Sequence, residues 1–199
     1  MRSRALLSLA LTTALMAGCG EKDEPAPESL GPAVERKKET TDKLPGLPRG
    51  YERFENRDAG IAFGRPPGWK AKAKGGATTL TAPNELVVVS FSVDRTNDAL
   101  ELTPKNFAEQ TATALEGFKD PLATSKPKPF KHRYEGAVVE GKGVAKKTGV
   151  GQSVKVIVLE RNGAAVVTAV VFENRERKTR DEVKQAEESI GTLRTRPPR

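Results

Sequence analysis

The sequence predicts an α+β fold in which helices pack on an antiparallel sheet, and three observations point there. Two β-branched runs, 152–160 and 164–173, flank Arg161-Asn162-Gly163; Asn-Gly between such runs signals a hairpin, because both residues tolerate the positive φ of a type I′ turn. Thr103-Pro104 and Thr179 each precede apolar residues at helical spacing. The order is therefore strands, helix, strands, helix, which separates the classes instead of alternating them as parallel sheets require.

In chain order, residues 51–55 and 60–63 read as short strands around Asn56-Arg57-Asp58-Ala59, a run with turn chemistry. After Pro66-Pro67-Gly68, Trp69 begins a segment in which Lys70, Lys72 and Lys74 alternate with alanines. That pattern predicts an edge strand, because lysines discourage further pairing. Gly75-Gly76 turns the chain into a strand at 78–82. The next strand, 85–93, places Val87, Val89, Phe91 and Val93 on one face and Leu86 and Val88 on the other, which predicts a central position.

Thr103 as cap and Pro104 at the first helical position predict a helix running to Phe118, since proline's missing N–H costs nothing there. Its inner stripe would be Phe107, Thr111, Ala114, Leu115 and Phe118, with Asp120-Pro121 ending it. A Pro- and Lys-rich loop at 125–131 leads to a long strand at 133–145 whose glycines at 136, 141 and 143 predict bulges. Thr179-Arg180-Asp181-Glu182 reads as a capping box for a last helix with Val183, Ala186, Ile190 and Leu193 on one face. Residues 195–199, with Pro197-Pro198, predict a frayed basic end.

The N-terminus carries a different signal. Arg2 and Arg4 precede an apolar segment, 5–17, that ends in Leu15-Met16-Ala17-Gly18-Cys19, the layout of an export signal with a core too short to span a bilayer. The ending resembles the bacterial lipoprotein signal, in which cleavage before the cysteine frees it for diacylglycerol transfer; Met16 stands where leucine is usual. One acyl chain such as palmitate binds a bilayer marginally, whereas two or three on one residue hold firmly. Cys19, the only cysteine, is thus the expected lipidation site, and no disulfide is available to the fold. Residues 20–50 are rich in Glu, Lys and Pro without apolar period and read as a tether with a reach of about 30 Å. The expected organisation is a signal at 1–18, a lipidated N-terminus and tether at 19–50, one domain at 51–194 and the tail. The expected location is outside the cytoplasm on a bacterial membrane.

Charge is uneven along the chain. Residues 20–50 hold six basic and seven acidic side chains, whereas residues 51–199 hold 26 basic and 19 acidic, a net charge of +7. A basic domain favours anionic partners such as headgroups or envelope polymers. Nucleic acid is not an expected partner of an exported protein.

Ala59-Gly60-Ile61-Ala62-Phe63-Gly64-Arg65-Pro66-Pro67-Gly68-Trp69 resembles the opening hairpin of PsbP-like proteins, a glycine-led strand with an aromatic residue running into a Pro-x-Gly-Trp turn. The group includes a photosystem II subunit, a Ran-binding nuclear-import factor and exported bacterial lipoproteins of the DcrB and LpqN type. The likeness extends over about 51–193. It implies an α/β/α sandwich around a curved antiparallel sheet. It implies no particular activity, since members share a scaffold and are mostly binding or accessory proteins.

Catalytic constellations are sparse in the sequence. His132, the only histidine, lies between Lys131 and Arg133 and reads as a polar residue at a strand start; no Gly-x-Ser-x-Gly elbow accompanies it. One cysteine and one histidine cannot build a zinc cage. Residues 94–98 begin like a calcium loop, but Ala99 replaces the turn glycine and Lys105 the distal glutamate. The basic, glycine-rich run 141–147 matches neither nucleotide fingerprint and reads as a turn or bulge. No cofactor and no metal are expected. The expected function is therefore a non-enzymatic binding module for an envelope protein or anionic polymer, with Trp69, Lys70, Lys72 and Lys74 as the candidate interaction surface, although Trp69 after Pro67-Gly68 reads more simply as a packing residue and the lysines as solvated side chains. The alternatives are a carrier of a small apolar ligand between sheet and helix, or an anchored enzyme on envelope polymers using Glu160 or Glu173.

Overall fold

The computed structural model describes residues 46–96, 99, 101–161 and 165–195. Cys19, most of the tether, Asn162-Gly163 and residues 196–199 lie outside them.

Eleven strands and two helices are present among the described residues. In order they are β1 (Glu52–Asn56), β2 (Ile61–Arg65), β3 (Lys70–Lys74), β4 (Ala77–Thr81), β5 (Val87–Asp94), α1 (Pro104–Ala114), β6 (Ala123–Thr124), β7 (Lys128–Pro129), β8 (Glu135–Val144), β9 (Gly151–Arg161), β10 (Ala165–Asn174), α2 (Arg180–Gly191) and β11 (Arg194–Thr195). The main sheet has the order β3-β4-β5-β10-β9-β8-β6, with β7 also on β8; a small sheet has the order β1-β2-β11. Every pairing is antiparallel.

Alternation along the strands divides the core in two. Val87, Val89, Phe91, Ile157, Leu159, Val167, Ala169 and Val171 face one way, against Ile61 and Phe63 of β2 and Ala186, Ile190 and Leu193 around α2. Phe91 stacks on Phe63 with ring centres 4.6 Å apart. Ala137, Val139, Val154, Val156, Val158, Val166 and Val170 face the other way, against Ala108 and Ala112 of α1. β9 and β10 are apolar on both faces because a layer covers each side. The arrangement is the sandwich expected for a PsbP-like fold, and β5 is central as its two apolar faces require.

Local chemistry fixes the small sheet. Asn56 is 3% exposed; its Nδ2 donates to the carbonyls of Gly75 (3.0 Å) and Ala77 (3.2 Å) and to Thr78 Oγ1 (2.9 Å), while its Oδ1 accepts from Ala59 N–H. One side chain thus ties the β1–β2 turn to the β3–β4 turn. Gly64 N–H donates to Thr192 Oγ1 (2.7 Å), and Ser189 Oγ donates to Gly64 carbonyl (2.6 Å), joining β2 to the end of α2. A Cβ at Gly64 would come within 2.5 Å of Leu47, so the segment before β1 already packs on the domain.

Several local expectations are corrected. α1 ends at Ala114, not Phe118, because Leu115 leaves the helical region (φ −64°, ψ 118°); its buried residues are Pro104, Ala108 and Ala112, while Ala114 is exposed. The glycines of β8 make no bulge: from Glu135↔Glu160 to Val144↔Gly151 the register is unbroken. They instead clear space, since a Cβ on Gly143 would stand 2.7 Å from Leu122 and 2.8 Å from Phe118. Two short strands, β6 and β7, flank or enter the segment expected as loop. Thr179 precedes α2 but makes no side-chain cap; its hydroxyl donates to Glu173 instead. Arg194–Thr195 pair with β2, and Thr195 is buried, so the expected frayed end cannot begin before residue 196.

Candidate functional site

β3 lies at the edge of the main sheet, as its lysine alternation predicts. Ala71 packs toward the Phe91 core, so the period of two turns Lys70, Lys72 and Lys74 to the opposite face. All three are exposed. Their cross-strand partners are Thr81, Thr79 and Ala77, which in turn face Val88, Ser90 and Ser92 of β5. α1 packs on β8 and β9 at the far side of the same face. The β3–β5 part is consequently a surface of lysine ammonium, hydroxyl and short apolar groups. None of the three lysines is in an ion pair among the described residues.

Trp69 does not belong to that surface. It is 3% exposed within the core, and its indole Nε1–H donates to Gln185 Oε1 at 2.8 Å. The reason is positional: the turn before β3 directs the ring under α2, and a buried indole needs the acceptor that Gln185 supplies.

The residues considered for catalysis are dispersed. Glu160 faces Val166 and Glu173 faces Ser153 across the β9–β10 ladder, so they sit at opposite ends of the hairpin, about 24 Å apart at the usual strand rise. Asp94 Oδ1 accepts from Thr96 N–H, an ordinary turn contact; residues 97 and 98 lie outside the described ones. The run 141–147 is the end of β8 and the start of its turn. No group of three metal-ligating side chains occurs among the described residues.

Two polar clusters were not legible beforehand. Lys155 Nζ donates to Glu187 Oε1 at 2.6 Å and lies 3.6 Å from Glu140. Burial works to lower its pKa, but the hydrogen bonds and charges of Glu187 and Glu140 outweigh this and raise it. Lys155 and Glu140, with Lys142, Ser153 and Glu173, line an open cleft of about 490 Å³ beside β6. The spacing of the partners in sequence gave no signal, since the pairing depends on α2 crossing the sheet.

His132 forms the second cluster. Its Nδ1 accepts from Tyr134 N–H at 3.1 Å, so the neutral ring carries its proton on Nε2. That nitrogen is buried and makes no hydrogen bond of ordinary geometry among the described residues, only a weaker contact with the Gly191 and Ile190 carbonyls. Burial, then the charges of Arg194 and Arg133, push the imidazole down to about 4, against a smaller pull from the Gly191 and Ile190 carbonyls at the end of α2. On the same side of the molecule Tyr51 hydroxyl donates to Glu188 at 2.7 Å; burial and that carboxylate raise its pKa.

No family model matches the sequence, and no curated protein matches it. Solved structures do. A protein from Bacteroides thetaiotaomicron superposes with a TM-score of 0.50 at 16% identity, covering 72% of this chain, which spans about half (48%) of that one. A point mutant of Mog1 superposes with a TM-score of 0.51 at 11% identity, covering 73% of this chain and 95% of its own. LpqN of Mycobacterium tuberculosis, described as involved in cell envelope biogenesis, has 14% identity over 78% of this chain and 83% of its own, with a TM-score of 0.39. At such identities the likeness defines the fold as Mog1/PsbP-like and leaves the role to be argued from this chain's own residues.

Proposed function

We propose that this chain is an exported bacterial lipoprotein, held on the membrane through lipidated Cys19, whose Mog1/PsbP-like domain is a non-enzymatic binding module of the cell envelope. The observation that carries the binding role is the face of β3–β5 on which Lys70, Lys72, Lys74 and Ser92 are exposed and Thr79, Thr81 and Ser90 half-buried. Three ammonium groups spaced two residues apart along one edge strand, without ion-pair partners, complement an extended anionic partner: a carboxylate- or phosphate-bearing polymer, or an acidic protein segment. Charge of this kind supplies attraction and orientation more than tight affinity.

Crosslinking in living cells, with wild type beside Lys70→Gln/Lys72→Gln/Lys74→Gln, tests the binding role. A reproducible partner lost in the triple variant is expected; an unchanged crosslinking pattern contradicts it. Anchoring is tested separately by Cys19→Ser, which is expected to leave membranes on washing at high salt. Retention of the variant after that wash contradicts the anchor.

A further inference from the structure

A second basic region stands at one end of the main sheet, away from the β3–β5 face. The β8–β9 turn and its approaches contribute Lys142, Lys146 and Lys147, and the segment from β10 into α2 contributes Arg175, Arg177, Lys178 and Arg180. The two segments are held together: Gln152 pairs with Asn174, and Arg175 N–H donates to Gly151 carbonyl at 3.0 Å. All seven cations are exposed, and none forms an ion pair among the described residues. Glu176 lies within the second stretch, Glu173, Asp181 and Glu182 flank it, and Glu116 and Asp120 stand on the neighbouring loop after α1. Val144, the one exposed large apolar side chain among the described residues at 40%, stands at the same turn.

The described chain also starts at this end. Gly50 lies against Pro67, and Gly68 against Pro83 in the β4–β5 turn. Next to that turn, Asn84 Nδ2 donates to Glu182 Oε1 in the first turn of α2, at 2.6 Å. The chain before β1 therefore approaches the domain at the same end of the sheet, on its β3–β5 side.

We infer that this end of the domain docks on the anionic lipid surface, with Lys146, Lys147, Arg177 and Lys178 against headgroups and Val144 entering the interface. This rests on the anchored reading given above. It adds an orientation: the sheet stands end-on to the bilayer, and the β3–β5 lysine face points sideways, free for a partner. Several basic side chains near an anionic leaflet give attraction that salt screens within about 10 Å.

The mature chain from residue 19 carrying Cys19→Ser, which has neither the signal nor an acyl chain, is sedimented with vesicles of phosphatidylglycerol and phosphatidylcholine and with vesicles of phosphatidylcholine alone. Binding is expected to favour the anionic vesicles and to fall steeply with salt. Lys146→Gln/Lys147→Gln/Arg177→Gln/Lys178→Gln is expected to lower the anionic preference about tenfold or more, arginine at the two lysine positions to keep it, and the β3 triple variant to leave it intact. Equal binding to both vesicle types, a preference untouched by the fourfold change, equal loss in the β3 variant, or binding to soluble dextran sulfate without binding to vesicles would each overturn the inference. Because no acyl chain is present, these outcomes are independent of whether Cys19 is lipidated in cells.

Discussion

His132 shows how a residue with no catalytic partner can still govern behaviour. Its pKa falls from the ordinary 6.5 to about 4, so folding excludes a proton that the unfolded chain binds below about pH 6.5. Stability from this group is fully present above pH 6.5 and is lost as pH falls through 4. Because the ring is half-buried and screened by water, the loss should be about 1–2 kcal/mol, less than the full shift implies. Urea midpoints from pH 7 to 4 should fall more in wild type than in His132→Gln; parallel curves would sink this account. Asn56 is the complementary case, a buried amide with all its polar atoms engaged. Asn56→Ala strands two carbonyls and an N–H and should cost about 1–3 kcal/mol, measured by chemical denaturation. Sequence showed Asn56 only as turn chemistry, because its acceptors at 75–78 come from a different hairpin.

Elements were legible where local chemistry decides and illegible where crossing segments decide. The β9–β10 hairpin, the lysine edge strand, the central β5 and the face of α2 all follow from period and turn residues. Misreadings arose at contacts between elements. The β8 glycines looked like bulges but are clearances for Phe118 and Leu122, and Thr179 looked like a cap but bonds to Glu173. Gly143→Val should therefore destabilise by about 1–3 kcal/mol through overpacking, with the denaturant slope unchanged; a neutral result would show that the loop after α1 yields freely. Trp69 was legible as a packing residue but not in its partner, as its acceptor Gln185 lies on α2. Trp69→Phe should cost about 1 kcal/mol for the lost hydrogen bond, and Trp69→Ala about 3–5 kcal/mol. A thermal shift for alanine no larger than for phenylalanine would contradict its core role.

For the whole molecule, the fold distributes charge by end and by face. One end gathers the cations of two loops together with the entry of the chain, one sheet face gathers the lysines of β3, and the cleft around Lys155 is charge-balanced by Glu140 and Glu187. The fold class was readable because the Asn-Gly hairpin, the helix starts and the order of strands and helices are all local signals. The basic end was not, since the segments that carry residues 146–147 and 177–178 come to one end of the sheet only through the antiparallel register. Every functional statement about orientation depends on the molecule being tethered at its N-terminus. The direct measurement is the intact mass of the mature protein isolated from cell membranes. The account predicts a chain beginning at Cys19 and heavier by a diacylglyceryl group, with or without an added amide-linked acyl chain. An unmodified chain, or one beginning at another residue, would contradict it.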